Sequence, residues 1–194
     1  AQSFRAKEVD AAMDPLVMVD HYVMTDSTFG EHPHAGLSAV SLLFEDSSGR
    51  FHNRDSLGND FDLLPGDLYW LKAGSGAVHD EAPRPGSRIH GLQVFVNLPQ
   101  RQRHDDPMSL QVRGDEMPVL TGEGYRVRIA LGSSNGVAGV AAPNASMRSS
   151  IKTAARLTTG KGLHTAFSKH LTAVSSIGPP SRLSFIIGLT NSTW

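Results

Sequence analysis

The chain has 194 residues, 39% hydrophobic and 19% charged, enough for one sizeable core or for one domain and an incomplete second. It contains no cysteine, which excludes disulfides, thiolate metal sites and cysteine nucleophiles. The net charge of −1 hides a split: all 19 acidic residues lie at or before Glu123, whereas residues 124–194 hold eight Lys and Arg and no acid.

The opening segment, AQSFRAKEVD, lacks the form of a signal peptide. No apolar run approaches the roughly 18 to 20 residues of a membrane span. The expectation is a cytoplasmic protein without a membrane partner. Residues 14–100 read as β structure. Short apolar runs, LVMVD, LSAVSLLF, DLYWLKA and IHGLQVFVNL, alternate with turn chemistry at Ser48-Gly49, Leu57-Gly58-Asn59 and Pro65-Gly66-Asp67. Such spacing predicts a sandwich or barrel. Proline before glycine at 65–66 predicts a type II turn ahead of the strand LYWL. From residue 101 a polar, turn-rich stretch connects to YRVRIALG, where Val127 and Ile129 alternate with Arg126 and Arg128. Beyond about Asn144 the chain changes character: sixteen of the last 50 residues are Ser or Thr. There, SIKTAARLTTGKGLHTAFSKHLTAV offers a frayed helix and RLSFIIGL a strand.

Two short segments carry the chemistry. In EHPHAGLSAV, His32 and His34 lie two apart, and in GSGAVHDEAP so do His79 and Glu81. Side chains two apart on a strand share a face, and Pro33 disfavours a helix at His32. Without a bulge, Gly36, Ser38, Val40, Leu42 and Phe44 would share the face of His34, which would then be the inward face. Two such pairs can converge inside a barrel. Three neutral imidazoles and a carboxylate suit Fe(II), Mn(II), Co(II), Ni(II), Cu(II) or Zn(II), and suit Mg or Ca poorly. They leave positions open for substrate, oxygen or water, as a catalytic site requires.

Other features carry less. His52 beside a turn reads as a surface residue; His90 shares parity with Leu92, Val94 and Val96 and reads as a hydrogen-bonded core histidine. His21, His104, His164 and His170 have no neighbouring ligand in sequence. Gly74-Ser75-Gly76 is a turn rather than a phosphate loop. No G-x-S-x-G elbow is present. The basic tail lacks aromatic interleaving, so a nucleic-acid partner is not expected.

The motifs HPHAGLSAV, NRDSLGN, LPGDLYWLKAGSGAVHDE and HGLQVFVNLP, with MDPLVMVDHY upstream, resemble the pirin family of the cupin superfamily over about residues 12–100. The resemblance implies an all-β bicupin of two β-sandwich barrels, with one metal, most often iron, in the first. It maps the family's four ligands onto His32, His34, His79 and Glu81. Some pirins are similar to quercetin 2,3-dioxygenases, which open a flavonol ring with O₂ and release carbon monoxide. Others are nuclear co-regulators in which iron is a redox-sensitive switch. On that basis residues 1–125 are expected to form the metal-binding cupin domain. Residues 126–194 are expected to form a partial or divergent second cupin region, with an altered C-terminus after about Ala142. The expected function is a metal-dependent dioxygenase with a small aromatic substrate and O₂, in which Glu81 accepts the substrate's hydroxyl proton. The alternative is a non-catalytic metal-bearing regulator with a protein partner.

Overall fold

The computed structural model describes residues 2–5, 15–122, 125–131, 133–134 and 136–140. The expected helix and strand of the Ser/Thr-rich tail, and His164 and His170, lie outside the described residues. The chain divides into two compact units, the first ending at Gly114 and the second beginning at Asp115.

The first unit is a cupin-type antiparallel β-sandwich. Its six-stranded sheet runs in the order β1 (Gln2–Arg5), β2 (Leu16–Met24), β9 (Ile89–Asn97), β4 (Leu37–Leu43), β7 (Leu68–Lys72), β10 (Met108–Val112). The facing sheet has four strands, β3 (His32–His34), β8 (Ala77–Pro83), β5 (Phe51–Asp55) and β6 (Asp60–Leu63). Pro33 has no N–H to give a ladder and sits on β3, the edge strand of the smaller sheet, where that loss is tolerated. Between the sheets lies a core of Tyr22, Ala39, Leu43, Phe51, Leu63, Tyr69, Leu71, Ala73, Ala77 and Ile89. Its rings pack at an angle, Phe61 against Tyr69 with centroids 5.4 Å apart and Tyr22 against Phe51 at 6.4 Å.

The predicted turn before β7 is present. Gly66 has φ +92°, and the Asp67 amide donates to the Leu64 carbonyl at 3.0 Å, the closing bond of a type II turn.

The face assignment on β4 needs correction. His34 ends β3 in the smaller sheet, and three residues later Leu37 opens β4 in the larger one. The crossing passes through Gly36, whose φ of +70° suits glycine. A change of sheet breaks the period-two count. The residues of β4 that face the sandwich interior are therefore Leu37, Ala39, Ser41 and Leu43. Ser38, Val40 and Leu42 are buried on the opposite face of the same sheet.

In the second unit β11 (Val119–Gly122) pairs antiparallel with β12 (Tyr125–Arg128), and β13 (Ser133–Ser134) with β14 (Val137–Ala138). The alternation expected of YRVRIALG gives way here, because Arg128 is buried together with Ile129, Ala130 and Leu131. Among the described residues no helix is long and apolar enough to cross a membrane.

Candidate metal centre

Strand register builds the centre. β3 pairs antiparallel with β8 so that His32 lies directly across from His79. Since His34 follows His32 by two, all three imidazoles stand on one face of the sheet. His79 Nε2 lies 3.0 Å from His34 Nε2 and 3.1 Å from His32 Nε2. Among the described residues these three form the one group of His, Asp or Glu side chains able to hold a metal ion, with ligand atoms all within 4.8 Å of one another.

The donor set fits a borderline transition-metal ion. His32 Nδ1 donates to the Gly30 carbonyl at 2.8 Å, which leaves its Nε2 lone pair facing the other two rings. Burial, and then the neighbouring imidazoles, push His34 down to about 4 and His79 to about 3, so both are neutral near pH 7. Neutral imidazoles with Nε2 atoms this close cannot all satisfy one another, because each shared proton serves one lone pair. A cation satisfies all three at once. The Phe95 ring meets His34 edge-on, with centroids 5.0 Å apart.

Behind His79 stands a carboxylate that the sequence reading did not select. Asp55 on β5 pairs across from His79 on β8. It accepts hydrogen bonds from the Tyr69 hydroxyl, the Leu57 amide at 2.9 Å and the Asn59 amide at 3.1 Å. Its charge is the one influence that raises the pKa of His79. Among the described residues His79 Nδ1 has no hydrogen-bond partner. A negative charge near the ring favours a cation at the centre. Asp55→Asn is therefore expected to weaken metal binding, by less than the roughly 10-fold that a hydrogen-bonded outer carboxylate is worth. Competition against a chromophoric chelator would read this, and unchanged affinity would remove Asp55 from the centre.

Glu81 is placed differently from the histidines. It lies outside the group of three, and its Oε1 accepts the Ser41 hydroxyl proton from the facing sheet. Desolvation raises its pKa to about 7, against the opposing effect of the Ser41 hydrogen bond. The interior thus holds two histidines that resist protonation and a carboxyl that retains its proton unusually far up the pH scale.

These shifts have opposite consequences for stability. Below about 6.5 the unfolded chain protonates its histidines while folded His34 and His79 stay neutral, so acidification favours unfolding. Folded Glu81 takes its proton from about 7 downward, ahead of the unfolded value of 4.5, and acidification there favours folding. Two sites oppose one. The urea midpoint of chelator-treated protein is expected to fall between pH 6.5 and pH 4.5, and to fall more steeply in Glu81→Gln. A midpoint that rises over this window would contradict the assignment.

The remaining histidines have other roles. His52 bonds Asp60 at 2.7 Å near the surface. His90 is buried, as expected of a hydrogen-bonded histidine, but on the outward face of the larger sheet. There its Nδ1 meets the Asp46 carboxylate at 2.7 and 2.8 Å, and its Nε2 lies 2.7 Å from His21 Nε2.

Comparison with known proteins accords with this architecture. The pirin family model matches residues 2–96. Human pirin is 32% identical over 126 residues, 64% of this chain and 43% of that protein. A Thermoplasma acidophilum protein provisionally named a quercetin 2,3-dioxygenase is 30% identical over 127 residues, 59% of this chain and 48% of its own. The solved structure of GK1651 from Geobacillus kaustophilus superposes with a TM-score of 0.62 and 35% identity, covering 70% of this chain and 52% of that one. The chain spans less than half the length of these curated relatives. With the pirin model matched through β9 and the same sandwich in a relative of known structure, this chain belongs to the pirin family.

Proposed function

We propose that this chain carries the metal-binding half of a pirin-type dioxygenase, with His32, His34 and His79 as metal ligands and a flavonol such as quercetin as substrate. The observation that carries this reading is the convergence of three imidazole nitrogens, with Glu81 two residues beyond His79 on the same strand face. The name borne by the Thermoplasma relative supports the substrate class.

Iron(II) is the proposed ion; when bound it would bring the substrate oxygen and O₂ together and ease electron transfer between them. The chain's own groups do the rest. His32 is locked by the Gly30 carbonyl with Nε2 available. Glu81, whose pKa burial raises to about 7 and which a bound cation would favour in its charged form, accepts the flavonol 3-hydroxyl proton at a carboxylate oxygen and leaves an electron-rich anion. An open depression at the edge of the smaller sheet touches His34 but not His32, His79 or Glu81.

The second reading is a metal-bearing regulator with a protein partner. It is favoured by Phe29, which is 79% exposed while its ring stands edge-on to His32 at 6.3 Å. An exposed aromatic anchor beside the metal ligands is what a partner surface uses.

Metal content by mass spectrometry, with quercetin consumption followed under air, separates the two. Near-stoichiometric metal with turnover supports the dioxygenase. Metal without turnover favours the regulator, and folded protein that takes up no metal under any reconstitution ends both.

A further inference from the structure

Glu81 is held by the opposite wall of the sandwich. Its strand, β8, belongs to the smaller sheet, whereas the hydroxyl it meets belongs to Ser41 on β4 of the larger one. Ser41 is 1% exposed, and its register partner is Gln93 on β9. The Ser41 Oγ lies 2.9 Å from the Gln93 side-chain oxygen as well as against Glu81 Oε1. One hydroxyl hydrogen cannot serve two acceptors. Meanwhile Gln93 Nε2 is buried without a partner among the described residues. A half turn of the Gln93 amide ends the competition for that hydrogen and gives Nε2 a partner, with the amide oxygen taking the place Nε2 held, since amide oxygen and nitrogen are set by their network. Gln93 Nε2 then donates to Ser41 Oγ, and the hydroxyl hydrogen is committed to Glu81.

The result is a directed chain, from Gln93 to Ser41 to Glu81, that pins one carboxylate oxygen across the interior. We infer that Ser41, itself oriented by Gln93, is a positioning residue that sets how the Glu81 carboxylate addresses the three-histidine centre. The inference rests on the metal reading above, and adds to it two residues of the facing sheet. A fully buried serine and a half-buried glutamine with a buried amide nitrogen, paired across neighbouring strands among Leu37, Ala39, Leu43 and Phe95, have no packing advantage over apolar residues there. Gln93 bonds Ser41, and the Ser41 hydrogen bond runs to Glu81, which shares a strand face with His79.

Co(II) binding to the full chain tests this, read by its visible absorption and by competition for affinity. Ser41→Ala is expected to change the Co(II) spectrum, because the Glu81 carboxylate loses its tether, with a smaller effect on affinity than loss of a histidine ligand. Ser41→Thr, which keeps the hydroxyl, is expected to restore the spectrum. In a Glu81→Gln background Ser41→Ala should add nothing further, because the residue acts through Glu81. Gln93→Met, which keeps length but removes the amide, should shift the spectrum in the same sense and covers the case in which Ser41→Ala does not fold. Unchanged Co(II) spectra in Ser41→Ala and Gln93→Met, or an equal effect of Ser41→Ala with and without Glu81, would overturn the inference while leaving the metal centre standing. Wild-type protein that takes up no Co(II) would overturn the metal reading and this inference with it.

Discussion

Replacing His79 by alanine is expected to strip the protein of metal and abolish any flavonol turnover. His79 is the hinge of the cluster: its Nε2 is within 3.1 Å of both other ring nitrogens, and the residue is 2% exposed. His32 and His34 stand on the edge strand of the sheet and are partly exposed, so water can replace part of what either supplies. A ligand as buried as His79 has less access to replacement water. The loss of affinity should therefore exceed the roughly 10- to 100-fold that an outer-shell partner is worth. His52→Ala serves as the control, since its ring bonds Asp60 away from the centre and metal content should hold. Metal measured per folded chain, with the fold checked by circular dichroism, decides the matter. A His79→Ala protein that keeps its metal would mean the ion sits elsewhere.

Much of this arrangement follows from strand periodicity. A two-residue spacing puts His32 with His34 and His79 with Glu81 on shared faces, and the ladder between β3 and β8 then brings the pairs together. What periodicity cannot carry is a change of sheet. The count from His34 into LSAVSLLF assumed one continuous strand, and Gly36 ends that continuity. The inward residues of β4 shifted by one, and with them went Ser41, which looks in sequence like one more small residue of a buried run. Asp55 and Gln93 were invisible for a related reason. Each matters through a cross-strand partner 24 and 52 positions away, at His79 and Ser41 respectively, and only the register supplies that pairing. His21 and His90 meet over a separation of 69 residues by the same route. Glu81 shares the two-residue spacing of the histidines, yet its carboxyl is bonded to the far wall.

Glu81→Gln is expected to part the two properties that the histidine variants lose together. Glutamine keeps the shape of the side chain and can still accept the Ser41 hydrogen bond that Glu81 Oε1 now receives. It cannot accept a proton from the substrate. A positioned general base contributes about 10²- to 10⁴-fold, and a loss of that size is expected in kcat, while metal content stays near that of the unaltered protein. The pH profile gives an independent check. A carboxyl whose pKa burial raises to about 7 accepts a proton only once it is ionised, so the rate should fall on acidification through that region. A bound cation favours the charged carboxylate and moves this limb to lower pH, never higher. In Glu81→Gln the limb should disappear and leave the residual rate flat. Should the variant lose metal as fully as His79→Ala does, Glu81 is a plain ligand, and the proton must go to another group or to water. Should it keep both metal and turnover, the carboxyl is structural and the substrate hydroxyl is deprotonated without it.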